Sequence, residues 1–326
     1  MKRKKTRNFL NFKQRQQLSR SQTKSAEVIG TPEFYLPDEC WECVVKFLND
    51  GHDNNSRSLK SFSAVSKQFL SITNHLRFSI TIKEPTHRCL SRLFQRFPNL
   101  TSICLTHYYD NDTFCWLSSI ASSIKMKYTK KKNSVDNSNS FVVIPQLKSL
   151  HLISNSRIRD ESIEMIAALF PNLQLLNLTY CYNISEEGIF HVLKTCSDIR
   201  HLNLRRSLGK KLCGMNFEVP KLEVLNLSYT NVNNETLCVI SMCCRGLLQL
   251  LLEGCFNVTE KGVKHVLEKC AQLREINLKM CGQVHDDVLA SLIFSRPSLR
   301  KLSTPYDYQF SDREMELLSL QGCIVC

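Results

Sequence analysis

One pattern recurs down the second half of this chain at a nearly constant interval, and it restricts the fold more than any other feature. Leu173 to Cys196 reads LQLLNLTYCYNISEEGIFHVLKTC, Leu247 to Cys270 reads LLQLLLEGCFNVTEKGVKHVLEKC, and from Leu273 the chain reads LREINLKMCGQVHDDVLASLIF. Each unit opens with L-x-x-L-x-L, turns through a short segment that often holds a cysteine, and continues with apolar residues at helical spacing. The leading positions are Leu100, Leu147, Leu173, Ile199, Leu222, Leu247, Leu273 and Leu299, at steps of 47, 26, 26, 23, 25, 26 and 26 residues. Cys181, Cys255 and Cys281 each stand eight residues after their leading leucine, and Ile163, Ile189, Val263 and Leu289 stand sixteen after theirs.

Such constancy of offset is expected of a stack of similar units. In L-x-L alternate side chains share one face of a short strand, and the following helix supplies a second apolar stripe. One unit cannot bury both alone, so neighbours must share a continuous core. Six of the seven steps fall within the roughly 20–29-residue period of leucine-rich repeats. The fold expected is therefore α/β, a leucine-rich-repeat solenoid or horseshoe. The long first step contains KMKYTKKKNSVDNSNS, Lys125 to Ser140, which is polar and aperiodic. It is expected to be a disordered surface insertion at about 125–140; a second nuclear-import signal or a loop phosphorylated at Ser134, Ser138 or Ser140 is the alternative. The Ile199 unit lacks the helix pattern and should carry an irregular loop there, whereas Ser311 and Glu314 have the spacing of a capping box opening a terminal helix.

Charge narrows the function classes. The chain has 43 Lys and Arg against 30 Asp and Glu, a formal charge of +13. Residues 1–26 hold nine of these cations and no acid, so 1–30 is expected to be a disordered basic tail. Its Lys2-Arg3-Lys4-Lys5 cluster fits a nuclear-import signal, a weak nucleic-acid contact or a solvated tail. No run of eighteen apolar residues suggests a membrane span, and the charged N-terminus is unlike an export signal. The 16 cysteines, many at repeat positions, then read as reduced thiols serving as small buried hydrophobes. The expected location is nucleus, cytoplasm or both.

Ahead of the repeats lie LPDECWECVVKFL, Leu36 to Leu48, and LKSFSAVSKQFLSITN, Leu59 to Asn74, separated by a polar break. Pro37 suits a first helical turn, with Asp38 and Glu39 favourable at the dipole. Two or three helices are expected, too few for an independent core. This stretch resembles an F-box: Leu36, Pro37 and Asp38 open it, Val44, Val45, Leu48 and Leu59 follow, and Val65-Ser66-Lys67-Gln68-Phe69 closes it, with Ser66 and Phe69 where the family usually has Cys and Trp. With the repeats, the chain resembles a plant-type F-box/leucine-rich-repeat protein of the cysteine-containing class, with a small all-α F-box module at 31–80 and the repeats at 81–326. The resemblance implies a substrate-recognition subunit of an SCF-type ubiquitin ligase. The module would dock a Skp-type adaptor, and through it the cullin–RING ligase, by Leu36, Pro37, Val45, Leu48, Leu59 and Val65. The repeats would hold a protein destined for ubiquitination. A repeat scaffold with no ligase role is the alternative.

Strand alternation places His151, Asn177, His201, Asn203, Arg205, Asn226, Glu253 and Lys279 on the inner face, and Tyr180, Tyr229 and Tyr306 at or near the loops leaving the strands. Mixed hydrogen-bonding groups suit a protein segment better than a nucleic acid, which favours a basic, aromatic-lined groove. No nucleophile–base pair, metal-protease helix or phosphate-binding glycine loop occurs, so no catalytic residue, metal or cofactor is expected. Cys40-x-x-Cys43 lies in an apolar helix pattern without a second pair at ligand spacing. Cys323 to Cys326 has the C-a-a-X shape of a prenylation site but no adjacent basic run.

Overall fold

The computed structural model describes residues 36–49, 57–83, 92–106, 117, 143–207, 212–284, 293–294, 296–305 and 310–326. The expectations for the basic tail, the Lys125 to Ser140 insertion, Leu289 and Tyr306 lie outside these residues.

Three helices come first: α1 (Asp38–Asn49), α2 (Arg57–Ser63) and α3 (Lys67–His75). They share a small core of Val45, Leu59, Ile72 and Leu76, with Trp41 and Phe62 packed against it. The residues that depart from the F-box pattern have local roles. Phe69 lies 4.9 Å from the Trp41 ring centroid and 5.8 Å from that of Phe62. The Ser66 hydroxyl caps α3 by accepting from the Phe69 N–H at 3.1 Å.

The chain then climbs a single parallel sheet whose strand order is its sequence order, β1 to β10. The strands are β1 (Ser79–Lys83), β2 (Ser102–Thr106), β3 (Ser149–Ile153), β4 (Leu175–Asn177), β5 (His201–Asn203), β6 (Val224–Asn226), β7 (Gln249–Leu251), β8 (Glu275–Asn277), β9 (Lys301–Ser303) and β10 (Ile324–Val325). Helices α4 (Leu93–Arg96), α5 (Asp160–Leu169), α6 (Glu186–Thr195), α7 (Asn234–Cys243), α8 (Glu260–Lys269) and α9 (Asp312–Leu320) lie between them. All eight leading leucine or isoleucine positions are at most 1% exposed, and the +16 positions Ile163, Ile189 and Val263 are fully buried. One hydrophobic cluster runs from Leu93 to Cys323. This is the repeat solenoid expected.

Two rungs escaped the leucine register. Ser79 pairs with Ser102, which aligns Arg77 with Leu100, and Ile324 pairs with Lys301, which aligns Gly322 with Leu299. The first rung begins with a cation and the last with a glycine, so neither shows the leading leucine.

The +8 position forms an inner ladder. The Cys181 thiol donates to Leu152 O at 3.0 Å, Cys255 to Leu227 O at 3.2 Å and Cys281 to Leu252 O at 3.1 Å. Ser207 serves the same position by donating to Leu178 O. Burial pushes the Cys181 and Cys281 thiols up to about 12 and those of Cys196 and Cys270 up to about 11, so they are unreactive packing groups at neutral pH. Cys40, Cys43 and Cys326 are exposed free thiols. Cys323 is buried, and the two residues after it form the last strand.

Ser311 and Glu314 form the capping box at α9. Among the described residues no helix forms between Cys196 and Asn234. The extended segment from Leu212 takes its place, with Phe217 edge-on to Phe190 at 5.9 Å.

Candidate functional site

Two surfaces present groups that the fold does not use internally. The first is on α1. Trp41 and Val45 face the three-helix core, so an apolar residue elsewhere on this helix has no internal purpose. Yet Val44, Phe47 and Leu48, at i, i+3 and i+4, are 40%, 80% and 49% exposed. Pro37 is exposed and Leu36 half-buried beside the helix start. Val65, 67% exposed, sits in the turn between α2 and α3. The Gln68 amide donates to Asp38 Oδ1 at 2.7 Å, which ties that turn's neighbourhood to the start of α1.

The structure therefore divides the six residues expected to contact an adaptor. Pro37, Leu48 and Val65 are exposed and Leu36 is partly so. Val45 is 0% and Leu59 6% exposed. These two are the module's own core and are withdrawn from the contact set. Val44 and Phe47, absent from that set, share the exposed face with Leu48; the i, i+3, i+4 spacing was the available sign.

The second surface is the rim where the chain leaves β3 to β8. Six residues take a left-handed backbone there: Ser154, Tyr180, Arg206, Tyr229, Gly254 and Met280, with φ of 58°, 62°, 53°, 57°, 68° and 61°. Each stands seven after its leading residue. The turn is set partly by an asparagine at the strand end, whose side-chain oxygen accepts from the N–H two residues on: Asn177 from Thr179, Asn203 from Arg205, Asn226 from Ser228 and Asn277 from Lys279, at 2.9–3.0 Å. Asn177, Asn203 and Asn226 were expected to meet a ligand. Their oxygens are committed to the backbone, which corrects that expectation for the carbonyl half of each amide.

This turn brings the +6 and +7 side chains of repeats one or two apart together. Arg205 Nη1 lies 3.1 Å from Glu253 Oε2. The Tyr229 hydroxyl donates to Glu253 Oε1 at 2.7 Å and lies 3.3 Å from Met280 Sδ. The Arg205 guanidinium is 4.6 Å from the Tyr229 ring centroid and that of Arg206 is 4.4 Å from it. Arg206 also lies 5.6 Å from Tyr180, which meets Tyr182 edge-on at 6.2 Å. The Tyr229 hydrogen bond, and after it Arg205, hold the Glu253 carboxyl below the usual carboxylate range; the same bond holds the Tyr229 phenol above its ordinary value.

Four residues singled out in the sequence, Tyr180, Arg205, Tyr229 and Glu253, thus form one cluster. Arg206 and Met280 were missed; only the +7 offset marks them. Lys279 is exposed at the next rung and adds positive charge near Glu253. Arg205 is neutralised by Glu253, whereas among the described residues no carboxylate pairs with Arg206 or Lys279, so the rim carries excess positive charge.

His151 lies apart. Its Nε2 is 3.0 Å from Ser149 Oγ and its Nδ1 3.3 Å from Asn177 Nδ2, and burial pushes the imidazole down. His201 is half-buried on β5. Among the described residues no group of three His, Cys, Asp or Glu could hold a metal ion, and no helix is long and apolar enough to cross a membrane.

No protein-family model matches the chain. Among curated proteins it is similar to F-box/LRR-repeat protein 4 of Bos taurus, 26% identical over 181 residues that cover 53% of this chain and 29% of that protein. It is similar to a Transport inhibitor response 1-like protein of Oryza sativa subsp. japonica, 29% identical over 147 residues, covering 45% and 22%. GRR1-like protein 1 of Arabidopsis thaliana is 23% identical over 191 residues, covering 55% and 28%. The chain thus spans under a third of the length of these relatives. A chain in the crystal structure of the yeast Rad7 and Elc1 complex shares the fold, with a TM-score of 0.50 at 16% identity over 88% of this chain and 81% of that one. The names of these relatives are consistent with the resemblance to a plant-type F-box/leucine-rich-repeat protein.

Proposed function

We propose that this chain is the substrate-recognition subunit of an SCF-type ubiquitin ligase, with no catalytic residue of its own. The observation that carries the reading is the exposed apolar face of α1. A module with a core of four residues does not profit from holding Val44, Phe47 and Leu48 in water, since exposed apolar surface is stabilised only by a partner. In this reading that partner is a Skp-type adaptor, met by Leu36, Pro37, Val44, Phe47, Leu48 and Val65, and the cullin–RING ligase follows through it. The repeats hold the protein to be ubiquitinated, with Tyr180, Arg205, Arg206, Tyr229, Glu253 and Lys279 as contact residues; aromatic and Arg side chains are favoured anchors. The work is proximity: substrate lysines are held at high effective concentration near the charged conjugating enzyme. Action in the nucleus or cytoplasm suits such a role.

A pull-down tests this. The purified chain should retain a Skp-type adaptor, and a Val44→Asp/Phe47→Asp variant with unchanged circular dichroism should lose at least about 30-fold in affinity, as expected when a hot-spot aromatic is removed. A folded parent chain that retains no adaptor would sink the ligase reading in favour of a repeat scaffold.

A further inference from the structure

The strongest feature outside both surfaces is a cleft of about 750 Å³ between the three-helix module and the first rungs of the sheet. Its cations are Lys60 on α2, Arg77 after α3, and Arg92 and Arg96 at α4. Asn74 and Gln95 add side-chain amides, and no described lining residue is acidic. The four cations come from three separate segments of chain, and only Arg92 and Arg96 share a helical spacing.

Arg77 is the informative member. It stands at the register position where the next eight rungs hold a buried leucine or isoleucine, yet its guanidinium is half-buried in the cleft. It lies 5.7 Å from the Phe97 ring centroid, and Arg96 lies 5.2 Å from the same ring. One aromatic thus gathers two like charges with no described carboxylate between them. Burial and then the neighbouring Arg96 charge lower the Arg77 pKa, as expected for two guanidinium groups brought together on one ring. An arginine pair of this kind is offset by an anion that accepts from both planar forks.

We propose that this cleft binds a small molecule bearing two or more phosphate groups. The charge sets the number of groups. One phosphate monoester carries about −1.5 to −2 near neutral pH, so four cations match two or three. The volume is within the roughly 300–1,000 Å³ of small-molecule sites. Because the cations span the module and the first rungs, such a ligand would clamp one to the other and raise the stability of both by linkage.

The test is calorimetric titration of the full chain with phosphate, pyrophosphate and tripolyphosphate at constant ionic strength, with thermal melting in parallel. Affinity should rise from phosphate to tripolyphosphate, and tripolyphosphate should raise the melting temperature. Arg92→Gln and Arg96→Gln, both at exposed positions that spare the fold, should each weaken tripolyphosphate binding by about tenfold, the scale of one lost charge-assisted bond. Arg77→Gln should weaken it at least as much. A variant with Lys2, Arg3, Lys4 and Lys5 changed to Ala should bind like the parent. Loss of binding in that variant would move the site to the tail and overturn the proposal, as would unchanged affinity in Arg92→Gln and Arg96→Gln. A phosphoserine peptide that binds this cleft more tightly than tripolyphosphate would overturn the small-molecule assignment.

Discussion

Replacing Gly254 by Ala tests the rim turn and its side-chain cluster together. Gly254 has φ of +68°, and a Cβ there would lie 2.6 Å from Tyr229 Cδ1 and 2.7 Å from Cε1. Two costs follow. The left-handed backbone costs a β-carbon about 1 kcal/mol relative to glycine. The ring must also move, which breaks the 2.7 Å bond from the Tyr229 hydroxyl to Glu253. A bond to a charged group is worth about 1.5–3 kcal/mol when buried, reduced to about 1 kcal/mol here by partial solvent screening. The expected sum is about 2 kcal/mol, read as a fall in urea midpoint at unchanged slope. In a Tyr229→Ala background the obstruction is gone, and Gly254→Ala should cost only the backbone share, about 1 kcal/mol. Equal costs in the two backgrounds, or a cost under about 0.5 kcal/mol in the parent, would refute the packing of Tyr229 over Gly254.

Three further outcomes are expected. Gly246→Ala puts a Cβ 2.2 Å from the Pro220 carbonyl oxygen and should destabilise by about 1–3 kcal/mol, whereas Gly282→Ala, with nothing within 4 Å, should stay within about 0.5 kcal/mol in the same denaturation series. Val45→Ala empties part of the three-helix core and should destabilise by about 1–3 kcal/mol, while Phe47→Ala should leave the thermal midpoint nearly unchanged; equal losses would overturn the division between core and docking face. His151 has a depressed folded-state pKa, so its contribution is present above the unfolded value of about 6.5 and is lost as pH falls through the folded value. Melting temperature should therefore fall on acidification from about pH 7 to 5, with a shallower fall in His151→Asn, and an identical slope would remove His151 as a source.

The repeat was legible because burial at the leading, +3 and +5 positions is enforced by neighbours on both sides, leaving little freedom of residue type. The register failed at its ends for the matching reason: Arg77 and Gly322 each have a neighbouring rung on only one side. On α1 the sequence shows an apolar helix, but not which apolar stripe faces inward. Val45 and Val44 are adjacent in the chain and opposite in role, and only the positions of Leu59, Ile72 and Leu76 decide between them. At the rim, the asparagines looked like ligand groups because their chemistry is the same whether they accept from a guest or from the backbone two residues on. Arg206 gave no sign by type. Its importance comes from a backbone turn that aims it across Tyr180 and Tyr229.

The repeat without a helix has a mechanical meaning. Strand pairing runs unbroken from β1 to β10, while on the opposite side α5 packs with α6 and α7 with α8, and an extended segment fills the space between the pairs. Resistance to bending in a two-layer beam depends on both layers, so compliance concentrates where one layer is interrupted. That place lies under β5 and β6, whose exits carry Arg205, Arg206 and Tyr229. The rim cluster therefore sits over a break in the described helix layer, where the sheet alone joins the rungs on either side.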